Sequence, residues 1–321
     1  MVTTGSTVGV AFALSIGAGL ATCIGGFIVF FKRLVHLASP ISLAISLSLS
    51  AGVMVFISFI EIYDKSNESF QAEFATVTNG TTTCDKICEG HSWLAASATF
   101  LLGALIIFGM DYLVGLISPA AHEELDIAHL NALRDKASES MVETGLSVGS
   151  VESVQHEEIP NKVIKEGQLN RTGILTALAI GLHNIPEGVA TYVGAIKDTR
   201  VGAALAIGIA LHNIPEGIAV ASPVFFATGV RWKAFLWTFI SALAEPFGAV
   251  IAWLVVGDGL NPHVEGIMFG IVAGMMVTIS FKELIPNAIK YHSKGPTVIL
   301  SILSGMGIMA LSLILFAYAG V

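Results

Sequence analysis

LHNIPEG occupies residues 182–188, and the same seven letters return at residues 211–217. Each copy lies about halfway along a long, mostly apolar segment, and a short connection separates the two segments. Runs of this length and apolarity are typical of membrane-spanning helices. Consecutive spans run antiparallel, so the two copies are inverted relative to the membrane and lie at the same depth.

The rest of the chain has the same membrane character. Of its 321 residues, 54% are apolar and only 12% are charged, whereas about a quarter of the residues in a soluble domain are charged. An ordinary cytosolic enzyme is therefore excluded. The pattern predicts an all-α polytopic membrane protein with eight transmembrane helices, at residues 7–31, 41–61, 93–117, 172–196, 201–224, 234–257, 266–289 and 297–319. The lipid bilayer is one expected partner, and nucleic acid is not, because the net charge is −8 and no basic stripe is present.

Basic residues predict the orientation of the chain. The loops on one side of the membrane hold most of the Lys and Arg, and the loops on the other side hold Lys65, Lys86, Lys197 and Arg200. The richer side is expected to face the cytosol. Both the N-terminus and the C-terminus are then outside.

The loops divide the chain into three parts. Residues 1–117 hold three spans and an outer loop at 62–92, residues 118–171 form a flexible cytosolic linker, and residues 172–321 hold five spans. The outer loop carries Cys84, Cys88 and a glycosylation sequon at Asn79, which suit an oxidising exterior. The two cysteines could form a disulfide or bind a metal, and the sequence leaves both open.

Polar residues in the repeated motif share one helix face. His183 and Glu187 are four residues apart, and Asn184 and Glu187 are three apart, so their side chains lie on the same side of the helix. The second copy repeats the arrangement with His212, Asn213 and Glu216. A third carboxylate at mid-membrane depth, Glu245 in span 6, is also followed by a proline.

Three carboxylates at one membrane depth require compensation. An ionised carboxylate at the bilayer centre costs at least about 2.5 to 3.5 kcal/mol, and neighbouring carboxylates repel one another. Two divalent cations shared by Glu187, Glu216 and Glu245 would remove both costs. Imidazole nitrogen and carboxylate oxygen together favour zinc and iron over magnesium and calcium, while Asn184 and Asn213 would add neutral oxygens. The simpler alternative is a kinked, polar pair of helices held together only by hydrogen bonds. Packing of that kind does not require His, Asn and Glu in duplicate together with Glu245.

The doubled HNxPEG in consecutive spans, the following AEP segment and the long preceding loop resemble the ZIP (Zrt/Irt-like) divalent metal transporters, in particular their ZupT/GufA-like branch. The resemblance covers all eight spans and implies an inverted-repeat bundle with a binuclear metal site in spans 4 to 6. By motif match, Glu187 and Glu216 would bridge the two metals. The resemblance also implies Met54 in span 2 as a thioether ligand and Glu61 as an entrance residue.

Glu283, near the inner end of span 7, is expected to line the exit of the pathway. This chain has Lys282 before it, where many relatives have histidine. The function expected is transport of zinc, and of iron, manganese, cobalt or cadmium, into the cytosol by alternating access. No catalytic residue and no resident cofactor are expected.

Two other functions use the same ligands. An intramembrane di-metal hydrolase could activate water at this site, but the HExxH pattern is absent and the glutamates are needed as ligands. A metal sensor would need a folded cytosolic domain, which residues 118–171 do not resemble. The plasma membrane is the expected location ahead of an internal membrane, and glycine-rich segments in spans 1 and 8 leave a homodimer open.

Overall fold

The chain is described by a computed structural model over residues 5–31, 39–78, 81–117, 181–256 and 261–319. The predicted linker 118–171, the first residues of span 4 and Asn79 lie outside these residues. Within them, 7 helices are long and apolar enough to cross a membrane, and residues 181–197 add a helix at the position of span 4. The prediction of an all-helical polytopic membrane protein is confirmed.

Over the described residues, every predicted span coincides with one helix or with joined helical segments. Spans 1 to 3 comprise Gly5–Gly26 with a 3-10 turn at Phe27–Phe30, then Pro40–Ile57 with a π segment at Ser58–Ile62 and a helix at Tyr63–Phe74, then Lys86–Ile117. Spans 4 to 6 comprise residues 181–197, then Thr199–Thr228, then Arg231–Ala242 with Ala244–Val256. Spans 7 and 8 comprise Pro262–Ile279 with a π segment at Ser280–Leu284 and a helix at Ile285–Tyr291, then Gly295–Ala319.

Capping residues explain where several helices begin and end. Ser39 and Asn261 each precede a proline, and their side-chain oxygens accept hydrogen bonds from the backbone N–H groups three residues later, at 3.3 Å and 2.8 Å. A polar N-cap followed by proline at the first helical position favours a helix start. Span 5 ends at Gly229, whose φ of 68° lies in the left-handed region that glycine adopts at low cost.

The predicted outer loop 62–92 is shorter than expected, because both flanking helices extend into it. Span 2 continues to Phe74 and span 3 begins at Lys86. The extension of span 2 is polar in sequence, yet Phe70 is buried beside Gly266 of span 7, and the Ser66 hydroxyl donates to the Gly266 carbonyl at 2.7 Å. These tertiary contacts stabilise a helix that hydropathy does not predict.

The remainder of this loop contains a pair of short strands followed by a disulfide. Strands Thr76–Thr78 and Thr81–Thr83 pair antiparallel. Cys84 and Cys88 form a disulfide immediately after the second strand. The structure therefore selects the disulfide from the two alternatives that the sequence leaves open for these cysteines.

Close helix contacts divide the spans into two bundles. Spans 1, 4, 5 and 6, which we call the motif bundle, meet where glycine lets backbones touch: a Cβ added at Gly188 would overlap the Glu245 carbonyl oxygen, and one at Gly217 would overlap that of Thr22. The flanking bundle, made of spans 2, 3, 7 and 8, also has backbone contacts at glycines. A Cβ at Gly274 would overlap the carbonyl oxygen of Phe100.

Span 6 is interrupted just before its carboxylate. Its two helices are separated by a turn at Leu243, three residues before Pro246. Proline has no N–H with which to bond the carbonyl four residues earlier, at Ala242. The proline of the AEP segment thus leaves the Ala242 carbonyl without its usual helical partner close to the turn, and Glu245 lies in the first turn of the second helix.

Candidate metal centre

The repeated motifs lie on adjacent helices of the motif bundle, and their polar side chains are buried. The seven predicted ligands in spans 4 to 6 are each at most 8% exposed: His183, Asn184, Glu187, His212, Asn213, Glu216 and Glu245. Both helices continue through the motif prolines without interruption. The expected concentration of polar side chains inside the bundle is present.

Three of these side chains form a compact cluster. Glu187 on span 4 and His212 and Glu216 on span 5 each offer one ligand atom, and these atoms all lie within 4.8 Å of one another. Within the cluster, His212 Nε2 lies 3.1 Å from Glu187 Oε1. Two carboxylates and an imidazole at this spacing are suited to a divalent transition metal.

A backbone carbonyl group orients the ring of His212. Its Nδ1 lies 3.1 Å from the carbonyl oxygen of Gly208, and a carbonyl only accepts, so Nδ1 carries the proton of this bond. In the neutral ring, Nε2 then bears the lone pair on the side of Glu187. Metal-binding histidines commonly bond a backbone carbonyl in this way through the other nitrogen.

A second polar group adjoins the cluster on the side of spans 1 and 6. Asn213 Nδ2 donates to Glu245 Oε2 at 2.9 Å and to the Ala18 carbonyl at 3.0 Å. Asn184 Nδ2 donates to the Ser241 carbonyl at 3.3 Å. Each amide nitrogen therefore helps to hold the bundle together, and each amide oxygen has no hydrogen-bond partner among the described residues.

Among the buried side-chain oxygens with no hydrogen-bond partner in the described residues, five belong to predicted ligands. They are Asn184 Oδ1, Glu187 Oε2, Asn213 Oδ1, Glu216 Oε2 and Glu245 Oε1. Buried polar atoms are normally bonded, because desolvation without a partner is costly. An oxygen-rich set of this kind fits a bound cation.

His183 lies apart from the compact cluster. Its Nε2 is 3.1 Å from Oε2 of Glu283, on the π segment of span 7. The reason is its position one turn before Glu187, which brings it toward the predicted inner end of the pathway. The structure thus brings together two residues that the sequence assigned separately to the site and to the exit.

The two predicted residues of span 2 are also placed. Met54 is fully buried in the largest apolar cluster, and its role as a thioether ligand stays a prediction. Glu61 is partly exposed and lies in the π segment Ser58–Ile62. Glu61 and Glu283 therefore both occupy π segments, a geometry that is frequent at functional sites.

A second internal repeat accounts for this correspondence and was overlooked in the sequence. Residues 51–62 read AGVMVFISFIEI and residues 273–284 read AGMMVTISFKEL. The alignment pairs Glu61 with Glu283. In both copies a serine begins the π segment and donates to the carbonyl of the methionine four residues earlier, Ser58 at 2.6 Å and Ser280 at 2.9 Å. Comparing spans 2 and 7 would have revealed it.

Two polar contacts at the site and its outer end have no clear signal in the sequence. Ser50 on span 2 donates to Glu216 Oε1 at 3.2 Å, but it is one of several serines in its helix. At the predicted outer end, Lys197 of span 4 forms an ion pair with Glu265 of span 7, and the Ser69 hydroxyl donates to the same carboxylate at 2.6 Å. Both contacts join the two bundles.

Comparison with known proteins agrees with this geometry. The family described as ZIP zinc transporter matches residues 7–313. This chain belongs to the ZIP family. ZIP relatives include proteins named zinc transporter ZupT: one from Nitratidesulfovibrio vulgaris is 40% identical over 95% of this chain and 96% of its own length. Those from Oceanobacillus iheyensis and Clostridium perfringens are 36% and 37% identical over 96% and 95% of this chain, and 98% and 95% of their own lengths.

The ZIP match extends over nearly the whole chain, and it confirms the family predicted from the doubled motif. The family and these relatives are named as transporters, not as enzymes. The alternative of an intramembrane di-metal hydrolase is therefore not favoured.

Proposed function

We propose that this chain carries Zn²⁺ across a membrane through a site in the middle of the motif bundle. The observation that carries the proposal is the buried cluster of Glu187, His212 and Glu216. Two carboxylates at this separation in a membrane interior repel each other and lose their hydration. A divalent cation bound between them offsets both effects, and the family membership and the names of the relatives favour zinc.

The surrounding oxygens support a site for two metals. One group is made by His212 with the two clustered carboxylates, and the other by Asn213 with Glu245 and Asn184. Glu187 and Glu216 would bridge the groups, since each has an oxygen with no partner among the described residues. The same mixture of imidazole and oxygen ligands would accept iron, manganese, cobalt and cadmium as further substrates.

Alternating access is the mechanism that the two repeats favour. They pair His183 with His212 and Glu283 with Glu61. The structure contains the His183–Glu283 contact, whereas His212 contacts Gly208 and Glu187. Inverted repeats exchange roles when the site opens to the other side. We therefore expect His212 to approach Glu61 in the opposite conformation, while His183 leaves Glu283.

Uptake of radioactive zinc into proteoliposomes tests the function. Glu187→Gln keeps the shape of the side chain and removes its charge, so we expect saturable uptake to be lost. Glu73→Gln makes the same change at an exposed glutamate and should leave uptake intact. Uptake that persists in Glu187→Gln, or that fails equally in Glu73→Gln, would contradict the proposed site.

For the location, we propose the plasma membrane, with the Cys84–Cys88 disulfide and both termini outside, as the basic loops predict. Labelling intact cells through an epitope at either terminus tests this orientation.

We also propose a homodimer. Several glycines of spans 1 and 8 pack against other spans of the same chain: Gly19 against span 6, Gly25 against span 5 and Gly305 against span 2. Light scattering of the protein in detergent measures the oligomeric state.

A further inference from the structure

Ser50 reaches the candidate site from the flanking bundle. Its Oγ donates to Oε1 of Glu216 at 3.2 Å and lies 3.5 Å from the carbonyl oxygen of His212. Ser50 is fully buried and Glu216 is 2% exposed, so water does not compete for this bond. A hydroxyl has one proton to donate, and the charged carboxylate is the stronger of the two acceptors.

The hydroxyl distinguishes two carboxylates that are otherwise related by the repeat. Glu216 corresponds to Glu187 through LHNIPEG, and the residue before AGVM in span 2 corresponds to the residue before AGMM in span 7. That residue is Ser50 in span 2 and Val272 in span 7, which is buried and has no polar atom. Span 7 therefore has no hydroxyl at this position to offer to Glu187.

We propose that Ser50 is a positioning residue for Glu216, an inference that rests on the proposed function. The bond fixes one carboxylate oxygen and so restricts rotation of the group. It leaves Oε2, which has no partner among the described residues, as the oxygen that binds zinc. Because Ser50 belongs to the flanking bundle, movement of the bundles breaks this bond, and the zinc affinity of the site then depends on the conformation.

Equilibrium binding of Zn²⁺ alone to the purified full chain in lipid nanodiscs, by competition with a chromogenic chelator, tests the proposal. Ser50→Ala should raise the dissociation constant about tenfold, as expected when a group that holds a metal ligand is removed. Ser50→Thr keeps the hydroxyl and should stay close to the parent protein. If Ser50→Thr binds zinc as tightly as the parent protein while Ser50→Ala does not, the hydroxyl is responsible and not the packing of the side chain.

Ser48 provides a matched control on the same helix. It is also fully buried, but its Oγ has no hydrogen-bond partner in the described part of the chain. Ser48→Ala removes the same atom and should leave the affinity unchanged. Equal affinities for Ser50→Ala and Ser48→Ala would overturn the proposal, as would Ser50→Thr binding as weakly as Ser50→Ala.

The parent protein and Glu216→Gln separate the two hypotheses. If the parent binds zinc and Glu216→Gln weakens binding, the site stands whatever Ser50 does, and Ser50→Ala should have no further effect in the Glu216→Gln background. If the parent does not bind zinc, the proposed function and this inference are both overturned.

Discussion

Contacts inside each bundle differ from contacts between the bundles. Inside a bundle, glycines bring backbone against backbone, as at Gly217 with Thr22 and Gly52 with Ile302. At the boundary, the atoms nearest to a Cβ added at Gly208 of span 5 would be the side-chain ends of Ile57 and Met309. Polar pairs cross this boundary at three levels: Lys197 with Glu265, Ser50 with Glu216, and His183 with Glu283.

If access to the site alternates as proposed, this difference indicates which part of the molecule moves. Backbone contacts through glycine have little freedom, because close-packed interiors tolerate few shifts. Side-chain ends can change rotamer and polar pairs can exchange partners, so the boundary permits sliding or rocking while each bundle stays intact. The candidate metal ligands of spans 4 to 6 would then move together as one unit.

The largest expected effect comes from placing a methyl group at a backbone contact inside a bundle. Gly188→Ala puts a Cβ onto the Glu245 carbonyl oxygen and forces spans 4 and 6 apart at the candidate site. We expect loss of zinc uptake and a free energy of unfolding lower by about 2 to 3 kcal/mol, measured by thermal unfolding in detergent. Gly208→Ala is the matched change at the boundary and should cost less, since flexible side chains can yield. Equal losses in the two variants would contradict the contrast.

A smaller effect is expected at the outer polar pair. Lys197→Glu places a negative charge beside Glu265, and zinc uptake should fall about tenfold, a reduction limited by the partial exposure of the pair. The exchanged variant, Lys197→Glu with Glu265→Lys, should recover most of this activity. Lys65→Glu disrupts the ion pair with Glu68, which lies within a single helix and does not join the bundles, and it should have less effect on uptake than Lys197→Glu. An exchanged variant no better than Lys197→Glu would rule out a role for the pair.

Hydropathy predicted the spans and the doubled LHNIPEG predicted the buried polar cluster, whereas the weaker repeat of spans 2 and 7 was overlooked. LHNIPEG located the buried cluster because its polar residues have few alternatives inside a membrane. The extension of span 2 beyond Glu61 was not predicted, because burial of Phe70 beside Gly266 depends on a neighbour distant in the chain. The His183–Glu283 and Ser50–Glu216 contacts also depend on how the bundles meet. No local pattern in the sequence encodes that arrangement.

The correspondence between Glu61 and Glu283 predicts a still smaller effect, on the KM for zinc. If the bundles exchange roles, Glu61→Gln should raise the KM for zinc a few-fold when zinc is supplied from the side of the Cys84–Cys88 disulfide. Glu283→Gln should raise the KM a few-fold when zinc is supplied from the opposite side. Oriented proteoliposomes loaded from either side measure both constants. A change in KM from the same side for both variants would show that the two residues are not equivalent.

The smallest effect is expected for a polar contact inside the flanking bundle. Tyr63 of span 2 lies with its hydroxyl 2.8 Å from the Ser97 hydroxyl of span 3, and Tyr63→Phe removes that bond. The free energy of unfolding should fall by about 1 kcal/mol, while the KM and maximum rate of zinc uptake stay unchanged. Ser97→Ala should give the same result, and the double variant little more. A changed KM in Tyr63→Phe would mean that spans 2 and 3 also move during transport, and the boundary of the moving unit would then have to be drawn inside the flanking bundle.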